Sequence, residues 1–508
     1  MAQTKWTAPL LAAMAGVVLV AAAVGADTGA ASERGGSPPV GWVEAVFCVI
    51  PGASTAQVPG YPGESFGAVR RPYRSPDGRR WIMSPWGTGG LFGIDYLVVG
   101  DNLDMTVVLR ENDAAPWAAG ETINTMDEQC GINDAGQYAF SVNTAGGDDL
   151  FDEYVIRWTN GVGFVVVAQE STSFPAIPGA DWGLILDEVH IVNDGRVGIR
   201  SINTYGLPSN QNTLCALGGA TIEAQEGVTI PFLQGGGMET WESFDFYSFQ
   251  HDATGSVSMV KGNMTGPTSF DHVCTVSNNI IVREGFFLTG FPNPITTTPS
   301  HQLGRNTLVS NGDWFFRGTT SGGGADFLLR NGFTYYRDGD PITPGSSELV
   351  GSAPNGDAFF FHTGNNRGQS VVGIYTTHPD DDLDEAVVFD KSFVLLRSGD
   401  AVDIDRNGAY DDDAYIAEFP WDEAFLTDAG SLYVNVILRN GAGATLGDAF
   451  IHVAVTPCLP GDLNRDGAVN FDDLNIVLES WGRAVLRWSL GDADGNGTVD
   501  FDDLNIVL

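Results

Sequence analysis

Residues 132–140, INDAGQYAF, join a polar turn ending in glycine to a strand of alternating apolar residues. An Asp-Ala-Gly step accommodates positive φ, and the alternation marks a strand with one face buried. The same element recurs as SPDGRRWI at Ser75, VNDGRVGI at Val192, HDATGSVSM at His251, VSNGDWFF at Val309, APNGDAFF at Ala353 and LTDAGSLYV at Leu426. Its glycines, Gly78, Gly136, Gly195, Gly255, Gly312, Gly356 and Gly430, are spaced by 58, 59, 60, 57, 44 and 74 residues. The two irregular steps together make twice the usual one, so seven copies fit.

A second marker keeps phase with the first. An apolar strand ending in a polar loop reads VVLRENDAAP up to Pro116, VVVAQES up to Ser171, IEAQEG up to Gly227, IIVREG up to Gly285, YYRDGDP up to Pro341 and VLLRSGDA up to Ala401. AVFCVIPG, ending at Gly52, is a weaker first copy. Each unit then holds about four short alternating segments, for instance Val107 to Arg110, Tyr138 to Val142, Tyr154 to Trp158 and Phe164 to Ala168. One four-stranded sheet of this size cannot bury its own apolar faces, whereas sheets stacked around an axis can. The fold expected is mainly β, a seven-bladed β-propeller over about residues 40–456. Two β-sandwiches are the alternative, and they do not explain a steady period. This region also resembles a large group of poorly characterised exported bacterial repeat proteins with NDAG-type and REGDPAP-type signatures, which implies a propeller and says little of activity.

The remainder of the chain frames this domain. A lysine-bearing start (Met1 to Thr7), an apolar run (Ala8 to Val24) and small residues at Val24-Gly25-Ala26 have the layout of a secretory signal peptide. Residues 1–26 are therefore expected to direct secretion, with 27–39 as a linker, and no later run is long and apolar enough to cross a bilayer. A formal net charge of −39 opposes nucleic-acid binding and suits divalent cations or basic partners. Five cysteines lie far apart, without the close pairs of a zinc cluster. Cys215 and Cys274 occupy matching places in neighbouring repeats; they either pair or, the reading favoured here, are small buried strand residues.

After TPCLP (456–460) the composition turns abruptly to Asp and Asn, opening a region at 457–508. GDLNRDGAVNFDDLNIVLESWG is followed by GDADGNGTVDFDDLNIVL, offset by 30 residues. Each carries oxygen ligands at alternate positions, glycine sixth and a carboxylate twelfth, the spacing that curls a loop around calcium. The first loop offers Asp462, Asn464, Asp466, the Ala468 carbonyl, Asn470 and Asp473; the second offers Asp492, Asp494, Asn496, the Thr498 carbonyl, Asp500 and Asp503. Gly467 and Gly497 allow the sharp turn, and each twelfth-position aspartate begins a helix. Solvated Asp/Asn turns would explain one loop, but not two followed by the identical string FDDLNIVL.

Two such EF-hand-like loops, each with a following helix only, resemble a type I dockerin. That resemblance implies a small helical module that docks in calcium onto a cohesin-like domain of another protein. It also implies that the tenth and eleventh positions, Phe471-Asp472 and Phe501-Asp502, contact the partner; these are often Ser-Thr in the family, so the usual cohesins are not assumed. The second helix stops at Leu508 without a counterpart of Glu479 to Gly482, as in a chain cut short. A third acidic loop, Asp403, Asp405, Asn407 and Asp411 with Gly408 sixth, matches the first nine ligand positions and then fails at Ala414. The run Asp380 to Glu385 lacks ligand spacing and reads as a solvated loop.

Catalytic signatures such as HExxH, GxSxG or a Walker loop are missing from the sequence. His251 replaces the usual turn residue of its repeat and reads as structural. Trp86, Trp117, Trp182 and Trp421 suit either sugar stacking or core packing, the latter favoured on strands. The function expected is a secreted calcium-binding protein that presents a propeller binding domain, with carbohydrate as a candidate ligand. The alternative is a dockerin-tethered glycoside hydrolase or lyase, which needs two facing carboxylates at the propeller mouth.

Overall fold

A computed structural model describes residues 42–88, 93–232, 238–297, 304–322, 325–352, 357–454, 471–479, 481, 499–501 and 504. The expected leader and linker (1–39) and Cys458 lie outside them. The strands form seven antiparallel sheets, and the innermost strand of every sheet borders one central channel. This is a seven-bladed propeller, with strands running from Val43 to Ala454.

Each of the seven polar turns closes an innermost strand onto the next one. The turn glycine donates its N–H to the carbonyl three residues earlier, as in Gly136 to Asn133 (2.9 Å) and Gly195 to Val192 (3.0 Å). Those glycines have positive φ, which explains their recurrence. The sixth turn corrects the sequence reading: it is Asn365 to Gln369, between strands Phe359–Gly364 and Ser370–Tyr375, with Gly368 at φ +77°. Gly356 lies outside the described residues. With Gly368 the steps of 44 and 74 become 56 and 62, and the irregularity disappears.

The second marker is the outermost strand of each blade: Asp104–Arg110, Gly163–Gln169, Thr221–Gln225, Asn279–Arg283, Phe333–Arg337 and Phe393–Arg397. Its weak copy is Val43–Cys48, which pairs antiparallel with Thr445–Ala454 and supplies the outer strand of the seventh blade. The two ends of the propeller thus close the ring. Val107 to Arg110 accordingly belongs to the first blade, and the missing strand of the second is Thr122–Ile132. That strand carries Asp127 and Glu128 at an irregularity, so its sequence does not alternate.

The core is distributed over the seven blade interfaces. Ile82 and Leu97 of the first blade pack with Phe140 and Ile156 of the second. Phe47 and Phe450 of the seventh meet Trp81 and Tyr96 of the first. Cys48, Cys130, Cys215 and Cys274 are free and buried on strands, so the expected alternative of a Cys215–Cys274 pair is not formed. Residues Asp381–Leu383 form an exposed 3₁₀ turn within the acidic run, capped by the Asp380 carboxylate. Trp182 is core, and Trp117 packs on Phe140 and Phe164.

The turns also form a hydrogen-bonded ring at one mouth. Asp77 N–H donates to the Asp134 carboxylate (2.9 Å), Asp134 N–H to Asn193 (3.1 Å), Asn193 N–H to Ala253 O (2.9 Å) and Ala253 N–H to Ser310 O (3.0 Å). Arg330 reaches Gly368 O (2.7 Å), Asn366 N–H reaches the Asp428 carboxylate (2.8 Å), and Asp428 N–H returns to Asp77 O (2.8 Å).

Candidate functional site

The innermost strands are interrupted at one level. Breaks separate Phe66–Ala68 from Tyr73–Arg74, Trp241–Phe244 from Gln250–His251, Ile295–Thr296 from Arg305–Leu308, and Tyr415–Glu418 from Ala424–Leu426. In the second and third blades the register shifts instead, between Met126 and Cys130 and between Asp187 and His190. Such irregularities re-aim side chains. Here they carry Arg71, Glu128, Glu188, Tyr247 and Asp422, three of which (Glu188, Tyr247, Asp422) adopt positive φ of 54–61°. Each such non-glycine conformation costs about 1–3 kcal/mol and clusters at functional sites.

A cavity of about 200 Å³ lies among these residues and is lined from all seven blades. The Arg71 guanidinium sits 5.2 Å from the Tyr247 ring centre and 5.9 Å from that of Tyr73. Tyr247 Oη donates to Glu128 Oε2 (2.7 Å), while Arg71 N–H donates to Glu128 Oε1 (3.4 Å). The Glu188 carboxylate accepts the backbone N–H groups of Tyr247, Ser248 (3.1 Å) and Phe249 (3.3 Å); burial still pushes its carboxyl up to about 7. Burial would also raise Asp422, but Arg317 at 3.1 Å and Arg71 outweigh it and hold the carboxyl below its ordinary value. Arg305 approaches the same carboxylate at 3.5 Å.

Two histidines couple the third and fourth blades. His190 Nδ1 lies 2.9 Å from the Glu188 carbonyl, which only accepts, so Nδ1 carries the proton and Nε2 accepts from His251 Nδ1 at 2.7 Å. Burial, then the neighbouring His251, pushes His190 down to about 3. His362, on the sixth blade, is 4% exposed and neither ring nitrogen has a hydrogen-bond partner. Burial and Arg317 push it down to about 3. The Tyr73 hydroxyl is likewise buried without a partner, and burial raises it well above the phenol range. At the turn end Arg74 crosses the channel to Leu426 O (2.6 Å) and Ser310 Oγ (3.4 Å).

The sequence matches no family model and no curated protein. Among solved structures it is similar to an oligogalacturonate lyase in complex with manganese (11% identity, TM-score 0.39, covering 82% of this chain and 97% of that one). It is also similar to the β-propeller domain of the Trilobed protease from Pyrococcus furiosus (9%, 0.37, 75% and 94%) and to the polysaccharide lyase Uly1 (10%, 0.36, 79% and 94%).

The third acidic loop connects the sixth blade to the seventh. Asp403, Asp405 and Asp412 each offer an oxygen, all within 4.8 Å of one another, while Asp411 bonds Asn407 Nδ2 at 3.1 Å. Asp412 is drawn in because its carboxylate caps the N–H groups of Ile404 (2.6 Å) and Asp405 (3.3 Å). Burial and the Asp405 charge, against several backbone N–H groups, leave Asp403 raised to about 6. Three hard oxygen donors, running from the buried Asp403 to the exposed Asp405, fit a calcium-like cation.

At the C-terminus, Phe471–Glu479 is helical, Val477 and Val499 are fully buried, and Trp481 meets Phe501 edge-on at 5.1 Å. Phe471 and Phe501 are 78% and 69% exposed. Of the expected ligands, Asp500 is described; Asp462, Asn464, Asp466, Ala468, Asn470, Asp492, Asp494, Asn496, Thr498 and Asp503 lie outside the described residues, as does Asp502. Asp472 and Asp473 are described in their helical backbone only.

The channel residues escaped the motif reading, His251 excepted. A signal existed: Arg71, Glu128, Glu188, Tyr247 and Asp422 all stand seven or eight residues before a turn glycine. Aligning the repeats on those glycines collects them in one layer.

Proposed function

We infer that this is a secreted protein whose C-terminal loop pair binds calcium and docks onto a cohesin-like domain, while the propeller binds a small ligand in its central channel. The observation that carries the binding role is the contrast within the cavity. Glu128, Glu188 and Asp422 are each engaged by protein donors, whereas the Tyr73 hydroxyl and both His362 nitrogens have no partner. Buried polar atoms are rarely left unpaired, so these groups are suited to meet a ligand. Both are held neutral near pH 7, far from the value that suits a proton carrier. Glu188, pushed up to about 7 in the same cavity, is taken up by three backbone N–H groups, and this engagement favours recognition over acid–base catalysis.

The duplicated FDDLNIVL segments and the exposed Phe471 and Phe501 support docking, since paired apolar side chains at matching positions suit a partner surface. None of the described helices is long and apolar enough to cross a membrane. The test is to incubate the full chain with plant and algal polysaccharides and with cohesin domains, in calcium and in chelator. Retention on a cohesin in calcium only, with no reducing or unsaturated sugar released, is expected. Product release at catalytic rates would replace this reading with the tethered-enzyme alternative.

A further inference from the structure

We propose that the channel ligand carries a carboxylate, which Arg71 holds between the rings of Tyr73 and Tyr247. This rests on the channel being the binding site and adds the chemical class of what enters it. Arg71 stands in the break of the first blade's innermost strand, and its guanidinium makes no hydrogen bond or ion pair with any described residue. The other arginines around it each have a partner that Arg71 lacks: Arg317 (3.1 Å) and Arg305 (3.5 Å) pair with Asp422, Arg200 binds Asp187 at 2.6 Å, and Arg74 caps Leu426 O. Asp422 and Glu128 offset part of its charge from beyond hydrogen-bonding distance, but Glu128 is turned to Tyr247 and Asp422 to Arg317, so the fork itself is left free to bond.

A guanidinium cannot shed its charge by losing its proton, and leaving it unpaired in a recessed site is costly. In a chain with 64 acidic and only 25 basic residues, a channel arginine whose guanidinium is hydrogen-bonded to no described carboxylate is conspicuous. Its planar fork matches a carboxylate in two parallel hydrogen bonds, and flanking aromatic rings fix the plane of that fork. Tyr73 Oη and the neutral His362 ring add one donor and one donor–acceptor pair to the same cavity, suited to hydroxyl groups. The cavity is smaller than the roughly 300–1,000 Å³ typical of drug-sized ligands. A hydroxylated carboxylate of about monosaccharide size satisfies all three groups.

Titration calorimetry of the full chain in calcium, with D-glucuronate and gluconate against D-glucose at equal ionic strength, tests this. Saturable binding of at least one acid, roughly ten-fold or more tighter than glucose, is expected from a charge-assisted pair. Arg71→Gln should remove that preference. Tyr73→Phe, which deletes one oxygen and keeps the shape, should weaken the acid several-fold and leave the melting temperature unchanged; it serves if Arg71→Gln folds poorly. Equal binding of acid and glucose, or unchanged acid binding in a folded Arg71→Gln variant, overturns the carboxylate assignment and leaves the channel as a neutral-ligand site. No heat with any of the three overturns the carboxylate assignment, and polysaccharide retention then decides separately whether the protein binds ligands at all.

Discussion

Glu153 shows what the blade interfaces demand of single residues. It is buried where the second and third blades meet, and its carboxylate accepts the Leu186 N–H at 2.6 Å. Burial, aided by Asp127, Glu170 and Asp187 and opposed by that N–H, pushes it from 4.5 up to about 8. A folded value above the unfolded one means that the proton stabilises the fold. The contribution is complete below pH 4.5 and is lost as pH rises through about 8. Glu153→Gln keeps the acceptor oxygen without the charge. It should be more stable than the parent by about 4 kcal/mol at pH 8 and within about 1 kcal/mol of it near pH 5. Urea unfolding at both values decides; an equal difference at each would place the effect elsewhere. His362 has the opposite sign, because its neutral form is the buried one: stability falls as pH drops from 6.5 toward about 3. At this scale the sequence showed the turn glycines, whose conformation is local. It hid Arg71, Glu128 and Tyr247, whose aim depends on breaks and register shifts set by neighbouring strands.

At the scale of elements, the turns serve both as hairpin closures and as links between blades. The Asp134 carboxylate accepts from Asp77 N–H (2.9 Å) and from Asn193 Nδ2 (2.7 Å), joining three consecutive turns. Asp134→Ala should cost about 2 kcal/mol, measured by chemical unfolding, as two charge-assisted bonds are lost. A change within experimental error would make the ring ornamental. This dual duty explains why Asn and Asp recur there and why the sixth turn was misplaced. NNRGQ lacks the Asp-Gly look of its relatives, while PNG upstream has it. The third acidic loop also has an element-scale role. Ala45 N–H donates to Asp403 O (2.9 Å), Asp403 N–H to Val43 O (3.0 Å), and Tyr410 Oη accepts Val43 N–H (2.9 Å). A cation on this loop would therefore fasten the closing strand. Hydrogen exchange should show the amides of Val43–Cys48 more protected in calcium than in chelator, and in Asp403→Asn no difference should remain. Identical exchange in both conditions for the parent chain would exclude that role.

For the molecule as a whole, the seven-fold period was legible because closed rings repeat their turns, and two independent markers kept the same phase. Ring closure by Val43–Cys48 was less visible: the strand lies some four hundred residues from its partner Thr445–Ala454, and only its weak match to the outer-strand marker betrayed it. The proposed ligand site was less legible still: Arg71 and Tyr247 fall in one layer once the repeats are aligned on their turn glycines, but Tyr73 and His362 join them only when the blades close around the channel. The proposed function joins this propeller to a calcium-dependent docking module, and calcium binding is what calorimetry reads most directly. Titrating calcium into the full chain should reveal three ions, two in the C-terminal loops and one at Asp403, Asp405 and Asp412. Asp462→Ala with Asp492→Ala should leave one ion and abolish retention on a cohesin. A full chain that gives no heat of calcium binding, or that gives the same heat after both substitutions, would contradict it.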